Sequence, residues 1–316
     1  MAHLFVFIGV TTGQSSIMRI FPRWRDLLGL GADLEIVGWD VPIGAPPARY
    51  RELVGTMKAD AHIVGGLITT HKLALYAAAR DLIDEMDRYA RLCEEVSCLS
   101  KRDGRLLGWA KDPVAVGRTL AGLLGPGYFG RTGGKVLCFG AGGAGTAIIL
   151  HLLTAPDSGD RPAGIVVTDR THGRLDSLRD LHRKLGSAIP LELVENSDPL
   201  RNDTLVGSMP PGSLVINATG MGKDIPGSPI TADARFPERG IVWELNYRGA
   251  LDFPRQAAAR RQDHGLRIEA GWPYFIHGWT TVIEEVFQHP IDAGELDRLA
   301  EAADFARPPL PTALER

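Results

Sequence analysis

The sequence predicts an α/β protein of two domains, and three observations carry the prediction. Strand-like and helix-like segments alternate along all 316 residues. A complete G-x-G-x-x-G, at Gly140, Gly142 and Gly145, follows an apolar strand and opens a helix. The loop "GPGYFGRTGG" (125–134) interrupts the alternation, so that each side of it holds its own strand–helix series.

Before that loop, "LFVFIG" (4–9) reads as a strand and "SIMRIFPRWRDLLGL" as an amphipathic helix. "LEIVGWDV" (34–41) is a second strand, and "PPARYRELVGTMKAD" a helix with proline at its start. "AHIVGGLI" (61–68) is a third strand, giving a βαβαβ order and a mostly parallel sheet. Two helical stretches follow, then a hairpin, "EVSCLSKRDGRLLGWAKD", turning at Asp103–Gly104.

After the loop, "KVLCFG" (135–140), "GIVVTD" (164–169), "LELVE" (191–195), "SLVINAT" (213–219), "GIVWELNY" (240–247) and "LRIEA" (266–270) are strands. They form a second, open sheet of the dinucleotide-binding kind. From "WTTVIEEVFQ" onward the chain is helical and expected to pack back on the first half, with a Pro-rich tail, "ARPPLPTALER", that frays.

Bulk properties exclude several classes. The formal charge of −3 and the lack of a basic tract argue against nucleic acid or an anionic membrane as partner. No apolar run is long enough to span a bilayer. The start, "MAHLFVFIGV", lacks a basic region and a cleavage site, so it reads as a buried strand rather than a signal peptide. Three cysteines, Cys93, Cys98 and Cys138, without a C-x-x-C, fit a reduced, cytoplasmic protein. No zinc motif, P-loop or nucleophile elbow occurs, and no metal site is expected.

The glycine loop runs Gly140, Ala141, Gly142, Gly143, Ala144, Gly145. Its first glycine permits the tight turn, its second lets backbone approach a pyrophosphate, and its third lets helix and strand pack closely. The helix amino terminus then faces the phosphates. Asp169 ends the next strand, where a carboxylate can accept from the adenosine ribose hydroxyls and repel a 2′-phosphate; this favours NAD. Arg170 and Arg174, close behind, can clamp such a phosphate, so NADP stays open. Thr219 and Met221 in "INATGMGK" stand at a strand carboxyl end and are placed against the nicotinamide. An ordinary βα turn is the plain alternative.

"GGLITTHKLA" (65–74) sets Lys72 at a helix start, where the helix dipole disfavours a cation. The order of motifs resolves its role. "LITTHK" stands where the shikimate dehydrogenase family has N-V-T-x-P-x-K, and "DGRLLGWAKD" where it has D-G-x-x-x-G-x-N-T-D. "GAGGAG", "TDRTHGR", "INATGMG" and "WELNY" stand for its glycine loop, N-R-T-x-x-R, I-N-A-T-x-x-G-M and Y-D-x-x-Y. Over most of its length the chain resembles this family, which includes quinate/shikimate dehydrogenases.

The resemblance implies a substrate domain of residues 1–112, completed by 272–316, with a Rossmann NAD(P)-binding domain of 113–271 inserted between them. It implies an acid/base pair, Lys72 and Asp112, facing each other across the substrate. Such a pair can stabilise an alkoxide and move its proton as hydride leaves carbon. Tyr247 matches the family tyrosine near substrate and nicotinamide.

Departures fall on the substrate-reading positions. Ser15 matches the first serine of the family's S-x-S, but Ile17 replaces the second. Ser97 replaces the asparagine of A-V-N-T, and Ala110–Lys111 replace the N-T before the aspartate. In "GWPYFIHG", Gly271 is retained and counted with the cofactor residues, Tyr274 replaces a methionine and Gly278 a glutamine. Losing several hydroxyl-reading groups should change the preferred substrate. The expected substrate is a different polyhydroxylated ring or sugar-like acid, bound by Ser15, Ser97, Tyr247 and Tyr274. Arg19, Lys111 and His277 are further candidates to replace lost contacts, and His71 is expected to point away from the cleft. The competing reading is a regulator that binds nucleotide and a small molecule without turnover; retention of Lys72 with Asp112 argues against it. A homodimer is allowed for, and the oligomeric state is not fixed by the sequence.

Overall fold

The run "LFVFIG" is apolar at every position because both faces of its strand are covered. In the computed structural model, which describes residues 2–155, 160–223 and 225–314, it forms β1 (His3–Gly9). Then come α1 (Ile17–Leu27), β2 (Leu34–Asp40), α2 (Pro47–Ala59), β3 (Ile63–Ile68) and α3 (Lys72–Ala79). Val6 and Ile8 pack with Val54 and Met57 of α2 and Leu75 of α3. Phe5 and Phe7 take the other face. Phe5 lies 5.2 Å from Phe21 and 5.4 Å from Phe287, and Phe7 4.9 Å from Trp279. Full burial of such an aromatic side chain stabilises a fold by roughly 1.5–3 kcal/mol.

The first sheet continues with β4 (Glu85–Met86), α4 (Arg88–Cys93), β5 (Cys98–Arg102) and β6 (Arg105–Trp109). Its order is β2-β1-β3-β5-β6-β4. β1 pairs parallel with β2 and β3, whereas β3–β5 and β5–β6 are antiparallel, so the sheet is mixed. The β5–β6 hairpin turns at Asp103 and Gly104, both at positive φ (51° and 73°), as a two-residue turn matched to strand twist requires. The two-residue β4 is too short to leave a periodic signal.

Next come α5 (Asp112–Leu124), α6 (Tyr128–Thr132), β7 (Val136–Phe139), α7 (Gly143–Thr154), β8 (Ile165–Asp169), α8 (His172–Leu185), β9 (Leu191–Glu195) and α9 (Pro199–Gly207). They are followed by β10 (Leu214–Asn217), β11 (Ile241–Glu244), α10 (Asp252–Ala259), α11 (Arg261–His264) and β12 (Arg267–Glu269). The second sheet is wholly parallel, in the order β9-β8-β7-β10-β11-β12. That order reverses between β7 and β10, the topological switch point where such sheets bind ligands. One face buries Leu137, Phe139, Val215 and Val242 against Val206 of α9 and Phe253 and Ala257 of α10. The loop expected at 125–134 holds α6. Asp160 accepts from the N–H groups of Tyr128, Phe129 and Gly130 (3.0, 2.6 and 3.2 Å) and caps it from outside the local sequence.

α12 (Trp272–Phe287) and α13 (Ala293–Ala303) complete the helices. The chain divides into two compact units, Met1–Ala115 with Ile276–Arg307, and Val116–Phe275 with Pro308–Arg316. The expected boundary residues, 112 and 272, are the first residues of α5 and α12; the units divide about one turn further along each helix. In the first unit α13 lies on α1, and Trp24 Nε1 donates to Leu299 O at 2.8 Å. Beyond Arg307 the proline-rich tail leaves that unit. Instead of fraying, its described part sets a 3-10 turn (Thr312–Leu314) on α10 of the second unit.

Candidate functional site

Lys72 and Asp112 come together because two helices begin there. α3 starts at Lys72 directly after β3, and α5 starts at Asp112 directly after β6. Lys72 Nζ donates to Asp112 Oδ2, and both side chains are largely shielded, 18% and 12% exposed. Burial pulls the Lys72 ammonium down, but the charges of Asp112 and Glu95 and the hydrogen bond outweigh it and hold its pKa above the usual lysine value. The turn before Asp112 is fixed by Ser97, whose Oγ accepts from Lys111 N–H at 2.7 Å.

Ser97 is 1% exposed, so its hydroxyl is buried among these backbone groups. Ser15 is half-buried and its N–H donates to Thr12 O. Lys111 Nζ pairs with Glu285 at 2.9 Å, and Arg102 pairs with the same carboxylate. Arg19 is exposed, with its guanidinium 5.3 Å from the centre of the Phe305 ring. His71 is buried beneath β3 and α3, bonded to Tyr50 Oη (3.0 Å) and Val41 O (2.9 Å); burial holds its pKa below the usual histidine value. His277 is half-buried on α12.

In the second unit a cavity of about 280 Å³ opens at the switch point, lined by Gly140, Gly142, Asp169, Arg170, Arg174 and Thr219, with Met221 beyond. Gly140 has φ +100°, and a Cβ on Gly145 would stand 2.0 Å from Gly140 O, so α7 closes on the strand only with glycine there. A Cβ on Gly142 would meet nothing nearer than Arg174, at 4.0 Å: the space above this backbone is open. The first turn of α7 presents N–H groups, including those of Gly143 and Ala144, without intrahelical acceptors. Glycine loop, free donors and cavity fit the pyrophosphate and adenosine of a dinucleotide.

Asp169 is turned inward, 7% exposed. It accepts from Ala141 N–H and Thr171 N–H, each at 2.8 Å, and Arg174 Nη1 lies 3.6 Å away. Arg170 and Arg174 are exposed at the rim. Thr219 and Met221 are clamped by a network that the sequence reading missed. Asn217 accepts from Thr219 N–H (3.1 Å) and Oγ1 (2.6 Å) and donates to Glu244 Oε2 (2.6 Å); Asn246 Nδ2 donates to Met221 O (3.0 Å). Burial pushes the Glu244 carboxyl up to about 7, against the hydrogen bonds from Asn246 and Asn217. Asn196, Ser197 and Asn202 also line the cavity. Their position after β9 is the signal that could have found them, since strand carboxyl ends surround the ligand.

Gly271 packs against Leu245, where a Cβ would sit 2.0 Å from its carbonyl oxygen. Tyr274 meets Trp243 nearly edge-on at 5.7 Å. Tyr247 is half-buried, 4.6 Å from Phe275 and 5.6 Å from Trp272. Among the described residues no cluster of His, Cys, Asp or Glu could hold a metal ion, and no helix is long and apolar enough to cross a membrane.

A parallel sheet of this order with a glycine loop at its switch point defines a dinucleotide-binding fold. Comparison with known proteins narrows the class. No protein-family model matches the chain. It is 30% identical to the shikimate dehydrogenase (NADP(+)) of Streptococcus gordonii over 189 residues, 60% of this chain and 61% of that relative. It is 29% identical to that of Shouchella clausii over 290 residues, 90% and 92% of the two chains. Three solved structures share the fold. A shikimate dehydrogenase in complex with NADP+ matches with TM-score 0.70 at 18% identity, covering 98% of this chain and 96% of its own. The quinate dehydrogenase of Corynebacterium glutamicum in complex with NAD matches with TM-score 0.70 at 19%, covering 95% and 98%. The ligand-free 5-ketofructose reductase of a Gluconobacter matches with TM-score 0.69 at 19%, covering 95% and 98%. The chain is thus similar to shikimate dehydrogenases at 29% identity over 90% of its length, and it shares the fold of shikimate and quinate dehydrogenases.

Proposed function

We propose that the protein interconverts a secondary alcohol and its ketone on a polyhydroxylated ring or sugar-like acid related to, but distinct from, shikimate and quinate. The observation that carries this reading is the shielded ion pair of Lys72 and Asp112 at two adjoining helix starts. A lysine held as ammonium beside a carboxylate can donate a hydrogen bond to a substrate oxygen and pass it a proton. A bound nicotinamide supplies or accepts the hydride. In reduction, Lys72 gives its proton to the developing alkoxide, and Asp112 keeps the amine oriented and steadies its charge. In oxidation the same proton returns from the hydroxyl to Lys72.

The proposed change of substrate rests on Ile17, Ser97 and Gly278, which stand where the family pattern has a serine, an asparagine and a glutamine. NAD is the proposed cofactor, although the curated relatives are named for NADP. The Asp169 carboxylate at the adenosine end of the cavity disfavours a 2′-phosphate, and it draws Arg174 toward itself.

The test is the absorbance of reduced nicotinamide, with NAD and NADP separately, against shikimate, quinate and a panel of cyclitols and sugar acids. Lys72→Ala is expected to lose about 10²–10⁴-fold in kcat while binding cofactor as the native protein does. Native turnover of shikimate or quinate at least as good as of any other substrate would overturn the substrate proposal. An unimpaired Lys72→Ala would overturn the role of the pair.

A further inference from the structure

Glu95 is the one fully buried carboxylate whose two oxygens have no hydrogen-bond partner among the described residues. Its place is set by the backbone. Glu94 ends α4 in the left-handed region (φ 51°), Glu95 N–H returns to Ala90 O, and the next residue, Val96, donates its N–H to Lys72 O at 3.4 Å. This fixes Glu95 between the end of α4 and the first residue of α3. We propose that Glu95 is a positioning residue for the acid/base pair, a buried carboxyl whose charge sets how firmly Lys72 holds its proton. The proposal rests on the reading of Lys72 given above.

The groups around it make the case. Lys72 on α3 and Asp112 on α5 both act on Glu95 through their charges. Cys93 on α4 is buried, and its thiol is pushed up by that burial, then by the charges of Glu95, Asp112 and Asp87. Asp87, at the cap of α4, is fixed by the N–H groups of Ala90 and Ala110. Of these groups, Glu95 feels the charges of one cation, Lys72, and one further carboxylate, Asp112. If both carboxyls were ionised the buried group would carry a net negative charge with no donor to solvate Glu95, an arrangement costing several kcal/mol. Neutralising Glu95 removes that cost. Burial pushes its carboxyl up to about 8, with Asp112 adding to the rise and Lys72 opposing it.

Two charge states follow. Below about pH 8 the three coupled groups, Lys72 ammonium, Asp112 carboxylate and Glu95 acid, are neutral in sum. Above it Glu95 ionises and places a second anion on Lys72, which then gives up its proton less readily. Reduction, which needs that proton, slows on the alkaline side through Glu95, a residue that never touches the substrate.

The test needs no substrate. Lys72 in the full chain is acetylated competitively with acetic anhydride, at about pH 7 and about pH 9.5, and its labelling rate is read by mass spectrometry in native protein and in Glu95→Gln. At the lower pH the rates should agree, because the residue is neutral in both. At the higher pH Lys72 of Glu95→Gln should label about tenfold faster, having lost the anion that holds its proton. Equal rates at both values would overturn the proposal, and so would a difference of the same size at both, which marks a structural effect. Glu95→Leu replaces Gln if that variant does not fold, with the same expectation. In native protein, a carboxylic-acid infrared band that disappears near pH 8, and is absent from both variants, is the companion result; its absence at pH 7 would also overturn the proposal. A protein that showed the labelling difference but no dehydrogenase activity would keep this inference and lose the proposed function.

Discussion

Asp169 shows how one residue can hold structure and selectivity together. Its carboxylate ties the glycine loop, through Ala141 N–H, to the turn after β8, through Thr171 N–H. Alanine at this position would therefore unfasten the loop as well as remove the charge. Asparagine removes the charge and keeps one of the two acceptor oxygens, so it gives up one of these two N–H contacts and retains the other. Asp169→Asn is expected to raise the NADP-to-NAD ratio of kcat/KM by about tenfold, or about 1.4 kcal/mol, by freeing Arg174 for a 2′-phosphate; steady-state kinetics with each cofactor measures it. At this scale the sequence was unevenly readable. Lys72 and Asp112 stood out because they sit in motifs with recognisable spacing. Glu95, Glu244 and Asn246 did not, because nothing local in "EEVSC" or "VWELN" announces that a carboxylate or amide is buried. Lys111, a sequence candidate for substrate, is ion-paired to a residue 174 positions away.

The elements were far more legible. Period-two and period-3.6 patterns survive wherever a strand or helix is long, so the strands of the parallel sheet fall within three residues of their expected bounds. What escaped was short or capped from afar: β4, with two residues, and α6, held by Asp160 from outside its own segment. The tightest element-level constraint is the closure of α7 on β7. A methyl at residue 145 cannot fit against Gly140 O, so Gly145→Ala must push the helix away from the strand. The expected result is a loss of about 1–3 kcal/mol of stability, together with weaker cofactor binding, read by denaturant unfolding and by calorimetric titration with NAD.

At the scale of the whole molecule, the two units differ in how the chain supplies them. The parallel sheet comes from one uninterrupted stretch, Val136–Glu269, whereas the mixed-sheet unit is closed only by Ile276–Arg307. A fragment of residues 112–287 should fold and bind adenine dinucleotide, whereas residues 1–115 alone should lack a cooperative unfolding transition; circular dichroism and calorimetry check both. Phe5, Phe7 and Trp24 explain the second outcome, since Phe287, Trp279 and Leu299 are what cover them. The same arrangement has a consequence in the cell. A ribosome delivers β1 well before α12 and α13, so the aromatic face of that strand waits for its partners while the whole parallel sheet is made. The nascent β1 segment is thus a stretch that chaperones have long to cover, and the mixed-sheet unit closes only after the parallel sheet has been synthesised.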